Sequence, residues 1–423
     1  MTQSSENAGP EPKISIPPSQ DPWYTASNDL EACGPGAVLK VRDVPSGLKA
    51  FKNASEGYHI LYRTTDSQYK STFAVTTLLL PKSPCFLNSG HKALLSYQAA
   101  YNSPNIDFGP SYRIFEPQPP NVFGTHTLHD NVDSMLSRGW FVAIPDFEGP
   151  RATLTATVMC GHAVLDGIRA ILSHLSSTKS EVSVKYAMWG YSGGAIASEK
   201  AAELQVQYAP ELTDNFVGAA LGGLVSDVGK VFGEVNESGF SGNLVIGLLG
   251  LMNQYPELDS YIQSRLKVEG TQSGTNFLSG RNLDSIGAFQ RYENQDIFGY
   301  FVGGRADLDE FPLLNKLRHV EWMLGYHGVP QIPLFVYSAI GDEMTPIAAT
   351  DYLVAHYQQF GCSVLYERNT VGGHIAEIAN GRDRALNWLI DAFHGFPTPS
   401  SNLFETRDVT IDLYKPPARL PRK

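Results

Sequence analysis

Three side chains in this sequence have the types and chain order needed for covalent acyl chemistry. The first is a serine inside Gly190-Tyr191-Ser192-Gly193-Gly194. A serine hydroxyl is a weak nucleophile at neutral pH until a base within hydrogen-bond reach takes its proton. The G-x-S-x-G spacing suits a serine held on a strained turn between a strand and a helix. Glycines are needed where the chain bends sharply and the helix packs close. The flanks agree: residues 184–189 read as a short buried strand, and residues 195–204 as a helix with small residues in its first turn.

Such a serine needs a base, and the base needs an acid to fix its tautomer and stabilise its cation. In a strand–turn–helix setting the acid and then the histidine follow the serine along the chain, each in a loop just after a strand. Asp342 meets that requirement for the acid, in Gly341-Asp342-Glu343-Met344-Thr345-Pro346 after a strand predicted over 332–339. Glu343 is its rival, since such a loop can present only one of the two inward. A purely structural role would be helix capping near Ala348, by Asp342 or Thr345. His374 meets the requirement for the base, in Gly372-Gly373-His374 after a strand predicted over 363–367. Of the other downstream histidines, His356 lies in a helical stretch and His394 near the terminal helix, and both read as structural. An oxyanion also needs two donors. The Gly193 N–H is the first; the second belongs to the loop 98–107, within which the residues alone do not choose.

The elements that would position these groups follow from the pattern. Strands are predicted at 58–62, 71–80, 93–97 and 140–145, and again at 216–221 after the serine helix. Helices are predicted at 131–138 and at 163–175, where Val164, Leu165, Ile168, Ile171 and Leu172 keep helical spacing. This alternation implies a mostly parallel sheet with helices on both faces. It stops over residues 226–318, which are helical and loop-rich, and resumes with the strands near 332 and 363 and a closing helix at 385–393. The expected organisation is a loose arm (1–20), a core in two parts (21–225 and 319–400), a helical cap inserted at 226–318, and a C-terminal tail or flap (401–423).

Bulk properties narrow the partners. The chain has 423 residues and a formal net charge of −11, which disfavours nucleic acid. The most apolar run, residues 244–252, is too short to cross a bilayer and is broken by glycines. It reads as a buried or groove-lining helix. Cys33, Cys85, Cys160 and Cys362 match no metal spacing, and two disulfides or four thiols are equally compatible. Residues 1–13 are polar, with no signal-peptide pattern, so the chain as written reads as cytoplasmic or as a processed form.

Beyond the motif, the residues resemble the secretory lipase family, the lipase-A type of α/β-hydrolases from yeasts and filamentous fungi. The similarity rests on Trp189-Gly190-Tyr191-Ser192-Gly193-Gly194, Ala201-Ala202-Glu203-Leu204, Tyr208-Ala209-Pro210-Glu211-Leu212, Asp146-Phe147-Glu148-Gly149-Pro150 and Val217-Gly218-Ala219-Ala220-Leu221-Gly222-Gly223. Pro35-Gly36-Ala37-Val38-Leu39-Lys40 looks alike too. It spans residues 21–393 and is weakest across 226–318. The resemblance implies an α/β-hydrolase fold and a Ser192–Asp342–His374 triad. It also implies an oxyanion hole of Gly193 and Asp107, an acyl tunnel narrowed by a cap and flap, and no metal or organic cofactor. The implied activity is that of a serine carboxylic-ester hydrolase on a small-molecule ester or lipid, with at most transient contact with a lipid interface. The alternative is an acyltransferase or deacetylase tailoring a terpenoid or polyketide. The family is usually secreted, in contrast to the polar N-terminus read above.

Overall fold

Runs such as Phe141-Val142-Ala143-Ile144 and Leu334-Phe335-Val336-Tyr337 are apolar at every position, so they can be stable only in a sheet covered on both faces. The computed structural model describes residues 16–26, 29–116, 125–178, 183–395 and 404–414 and shows that sheet. Its ten strands are β1 (Val38–Asp43), β2 (Ala54–Thr65), β3 (Ser71–Pro81), β4 (Lys92–Gln98), β5 (Phe141–Pro145), β6 (Val184–Tyr191), β7 (Phe216–Gly222), β8 (Leu334–Ala339), β9 (Val364–Asn369) and β10 (Phe404–Val409). Their order is β1-β2-β3-β5-β4-β6-β7-β8-β9-β10. β1, β2, β3 and β5 pair antiparallel, and every pairing from β5 to β10 is parallel. β5 and β8 are buried along their whole length.

Each face of the sheet has its own apolar layer. On one, the helices Thr157–Thr178 and Gly193–Tyr208 bring Ile168, Ile171, Ala201 and Leu204 against Tyr62, Leu94, Tyr186 and Met188. On the other, Thr125–Ser137 and His374–His394 bring Val132, Leu136, Leu386 and Leu389 against Leu95, Trp189, Phe335 and Tyr337. This is the sheet with helices on both faces that the alternating pattern predicts, and the α/β-hydrolase arrangement that the family resemblance implies.

Between β7 and β8 the chain leaves the sheet. It forms the helices Val228–Val235, Gly242–Gln254, Pro256–Arg265, Ser285–Tyr292 and Pro312–Val320, with shorter turns between them. The apolar run 244–252 lies in Gly242–Gln254, where all but two residues are buried. Among the described residues no helix is long and apolar enough to cross a membrane. All four cysteines are free thiols.

Two strands depart from the sequence expectation. β1 lies in a stretch without a predicted strand, and β10 falls within the segment expected to be a tail or flap. β10 has no apolar alternation: its sequence is Phe-Glu-Thr-Arg-Asp-Val, and it is largely exposed. Its ladder to β9 and the ion pairs Arg407–Glu367 and Arg368–Asp408 hold it instead. These contacts join residues about forty positions apart, which no local pattern reveals. The N-terminal arm before residue 16 and the basic, proline-rich end after residue 414 lie outside the described residues.

Candidate active site

The elbow is built from backbone crowding. β6 delivers the chain to Ser192, whose φ of 52° and ψ of −121° lie in a region side chains rarely adopt. Its N–H is held by the Gly222 carbonyl of β7 at 2.9 Å, and the helix Gly193–Tyr208 begins at once. The turn closes only because side chains are missing. A Cβ on Gly190 would lie 2.1 Å from the Gly194 carbonyl oxygen, and one on Gly194 would lie 2.0 Å from that of Gln98. Both obstacles are backbone and cannot swing aside.

Three separate loops then converge. His374, the first residue of its helix, has Nε2 2.9 Å from Ser192 Oγ and Nδ1 2.7 Å from Asp342 Oδ2. Asp342 follows β8, and its Oδ1 accepts N–H bonds from Met344 at 2.9 Å and Thr345 at 2.7 Å. The side chains of His374 and Asp342 are 3% and 0% exposed, so this chain of bonds is shielded from water. Burial raises the Asp342 carboxyl, but the bond and charge of His374 and the two backbone donors outweigh it, and its pKa falls below the usual 3.8.

Glu343, the rival acid, has a different position. Its Oε2 accepts the His374 backbone N–H at 2.8 Å, and the Tyr191 hydroxyl donates to the His374 carbonyl at 2.5 Å. One acid therefore faces the imidazole, and its neighbour pins the main chain that carries the ring.

The oxyanion region requires a correction. Gly193 opens a helix, so its N–H is one of the donors without an intrahelical partner. Asp107 does not join it. The segment Ile106–Phe108 forms a 3-10 turn capped by Asn105, whose side chain takes the Asp107 N–H at 2.9 Å. That turn sends the Asp107 carboxylate to the Ser19 N–H at 2.8 Å and the Ser19 hydroxyl at 2.7 Å, and Asp107 does not line the cavity at Ser192. The loop residue packed on Gly193 is Asn102, whose Oδ1 lies 2.1 Å from where a Gly193 Cβ would be. Asn102 has φ of 36°, and its Oδ1 is buried without a hydrogen-bond partner. The sequence signal for it was modest: asparagine is enriched where non-glycine residues take positive φ.

Ser192, His374 and Asn102 open into a cavity of about 530 Å³. Apolar side chains dominate it, among them Ile114, Leu128, Ile375 and Ile378 from the core and Ile286 and Phe289 from the helix Ser285–Tyr292. No cluster of metal-ligating side chains occurs among the described residues.

Known proteins resemble this chain in sequence and in fold. The Secretory lipase family matches residues 124–401. A protein named trichothecene C-3 esterase, from Fusarium sporotrichioides, is 42% identical over 384 residues, covering 89% of this chain and 84% of its own. Lipase A of Arthroderma benhamiae is 33% identical over 419 residues, covering 95% and 85%. The crystal structure of Candida antarctica lipase A superposes with a TM-score of 0.82 at 26% identity, covering 93% of this chain and 90% of that one. With this sheet and these relatives, the chain belongs to the secretory lipase family of α/β-hydrolases and is a carboxylic-ester hydrolase.

Proposed function

We propose that the ester is cleaved through an acyl-enzyme on Ser192. His374 Nε2 takes the Ser192 proton as Oγ attacks the ester carbonyl carbon. The carbonyl oxygen becomes an oxyanion held by the Gly193 N–H and an N–H of the Asn102 side-chain amide. As the C–O bond to the alcohol breaks, His374 returns the proton to the leaving oxygen. Water, activated by His374, then attacks the acyl group and frees the acid. Asp342 keeps the Nδ1 proton in place and stabilises the imidazolium formed in each half-reaction. The observation that supports this reading is the unbroken line of bonds from Ser192 Oγ through His374 to Asp342. The helical insertion serves as a cap, since its helix Ser285–Tyr292 contributes to the cavity wall.

A fluorophosphonate probe tests the nucleophile. It should label native protein at Ser192, and Ser192→Ala should lose both labelling and roughly 10⁶-fold of kcat while staying folded. Retained ester turnover in that variant would reject the assignment.

The small-molecule partner we favour is the ester of an oxygenated, terpenoid-type alcohol rather than a triglyceride. The similarity to a trichothecene C-3 esterase supports this, because the match extends through most of both chains. Transfer of the acyl group to an added alcohol is the competing outcome. The ratio of ester synthesis to hydrolysis with alcohol present separates the two. The net charge of −11 argues against a nucleic-acid partner.

A further inference from the structure

The cavity does not end at the triad. Tyr97 of β4 and Trp189 of β6 are direct neighbours in the ladder, and both line it, together with Tyr337 of β8. Trp189 precedes Ser192 by three residues, so this wall lies roughly 10 Å below the nucleophile along the strand direction. The rings form one contiguous group. Tyr97 and Trp189 meet edge to face at 5.5 Å, and Trp189 Nε1 donates to Tyr337 Oη at 3.0 Å.

The direction of each hydrogen bond here is forced. Arginine can only donate. Arg382 Nε donates to Asn131 Oδ1 at 2.5 Å, which fixes the Asn131 amide with its NH₂ toward Tyr97. That NH₂ donates to Tyr97 Oη at 3.1 Å. An indole N–H can likewise only donate, so Tyr337 Oη also accepts. Each phenol oxygen has therefore used an acceptor site, and among the described residues neither phenol hydrogen has an acceptor. Yet Tyr97 is only 9% exposed and Tyr337 1%. In the wall of a largely apolar cavity stand two buried donors with no acceptor among the described residues.

We infer that this wall selects esters whose buried part carries an oxygen acceptor, bound by the hydroxyl hydrogens of Tyr97 and Tyr337. The inference rests on the catalytic reading above and names the substrate feature that the same site takes. A plain alkyl group seated against the wall would leave both hydroxyls without a partner. A carbonyl, ether or hydroxyl oxygen at that depth would accept from them. Sites built around such donors discriminate strongly against analogues that lack the acceptor.

The test uses two matched ester pairs on native protein. One varies the alcohol, cyclohexyl acetate against tetrahydropyran-4-yl acetate. The other varies the acid, p-nitrophenyl hexanoate against p-nitrophenyl 5-oxohexanoate. In at least one pair the oxygenated member should have a kcat/KM about tenfold higher or more, expressed mainly in KM. Tyr97→Phe or Tyr337→Phe, assayed separately after a circular-dichroism check, should cut that ratio to within about twofold. Equal rates or an alkyl preference in both pairs overturns the inference, and this comparison needs no variant to fold. A preference that survives in both variants overturns it as well. Labelling of Ser192 by the fluorophosphonate with no discrimination rejects the donor wall alone. Absence of both labelling and turnover rejects the catalytic reading and the donor wall together.

Discussion

Replacing Asp342 by asparagine changes one oxygen into an NH₂ and leaves the shape alone, yet the geometry predicts a large kinetic effect. Asp342 Oδ1 is faced by two backbone donors, Met344 N–H at 2.9 Å and Thr345 N–H at 2.7 Å. An asparagine must keep its oxygen there, because an NH₂ would confront two N–H groups. Its NH₂ then faces His374 Nδ1, where Oδ2 stood at 2.7 Å. Nδ1 must become an acceptor, so the imidazole proton moves to Nε2, the atom 2.9 Å from Ser192 Oγ. The ring then donates to the hydroxyl it should deprotonate. In a triad of this geometry the wrong tautomer costs about 10⁴ in kcat, or about 5 kcal/mol in the barrier. Glu343→Gln is the matched control. An amide oxygen can still accept the His374 N–H, so its loss should stay below about tenfold. Both variants should be assayed at neutral pH with p-nitrophenyl acetate, with the burst phase and steady state recorded separately. The Asp342 carboxyl is held below its usual 3.8, so the stability its ionised form contributes is present above that value and is lost only as pH falls through the lower folded one. A neutral assay thus isolates chemistry from unfolding. The reasoning is refuted if Asp342→Asn keeps more than about a tenth of native kcat, or if Glu343→Gln loses more than Asp342→Asn does.

The remaining predictions concern the oxyanion loop and a buried acid. Asn102→Ala should lower kcat by about 10²–10³ with little change in KM, whereas Asp107→Ala should leave kcat nearly unchanged, since its carboxylate is turned to Ser19 and away from the cavity. Steady-state kinetics of the pair checks this, and the reverse ranking would return the oxyanion role to Asp107. Burial pushes the Asp146 carboxyl up to about 7 from 3.8, against two bonds from Ser111. The folded state therefore holds a proton that the unfolded chain releases, and stability should decline as pH rises from 3.8 toward 7. Glu148, buried nearby and also raised, acts in the same direction. Tm measured between about pH 5 and 8 should fall less steeply in Asp146→Asn than in native protein; an unchanged slope would rule Asp146 out as a source.

What could be read in the sequence was whatever a few consecutive residues enforce. Gly190 and Gly194 flank a turn at Ser192 that only glycines at those two places can close, and the strand and helix beside it are written in adjacent apolar spacing. Interior strands such as β5 and β8 were legible because burial on both faces demands unbroken apolar runs. β10 was not, because a polar edge strand is held by ion pairs to residues about forty positions away.

The sequence also supplied two adjacent acids, Asp342 and Glu343, and a loop of ten candidates for the second oxyanion donor, but it could not rank them by geometry. That choice belongs to the tertiary structure. The histidine lies 182 residues from the serine and 32 from Asp342, so only the packing of three loops at one sheet edge decides which carboxylate meets its ring. In the same way Asn105 curls the loop after β4, turns Asp107 outward and leaves Asn102 against Gly193. A turn is fixed by neighbours along the chain, whereas an active site is fixed by neighbours across it.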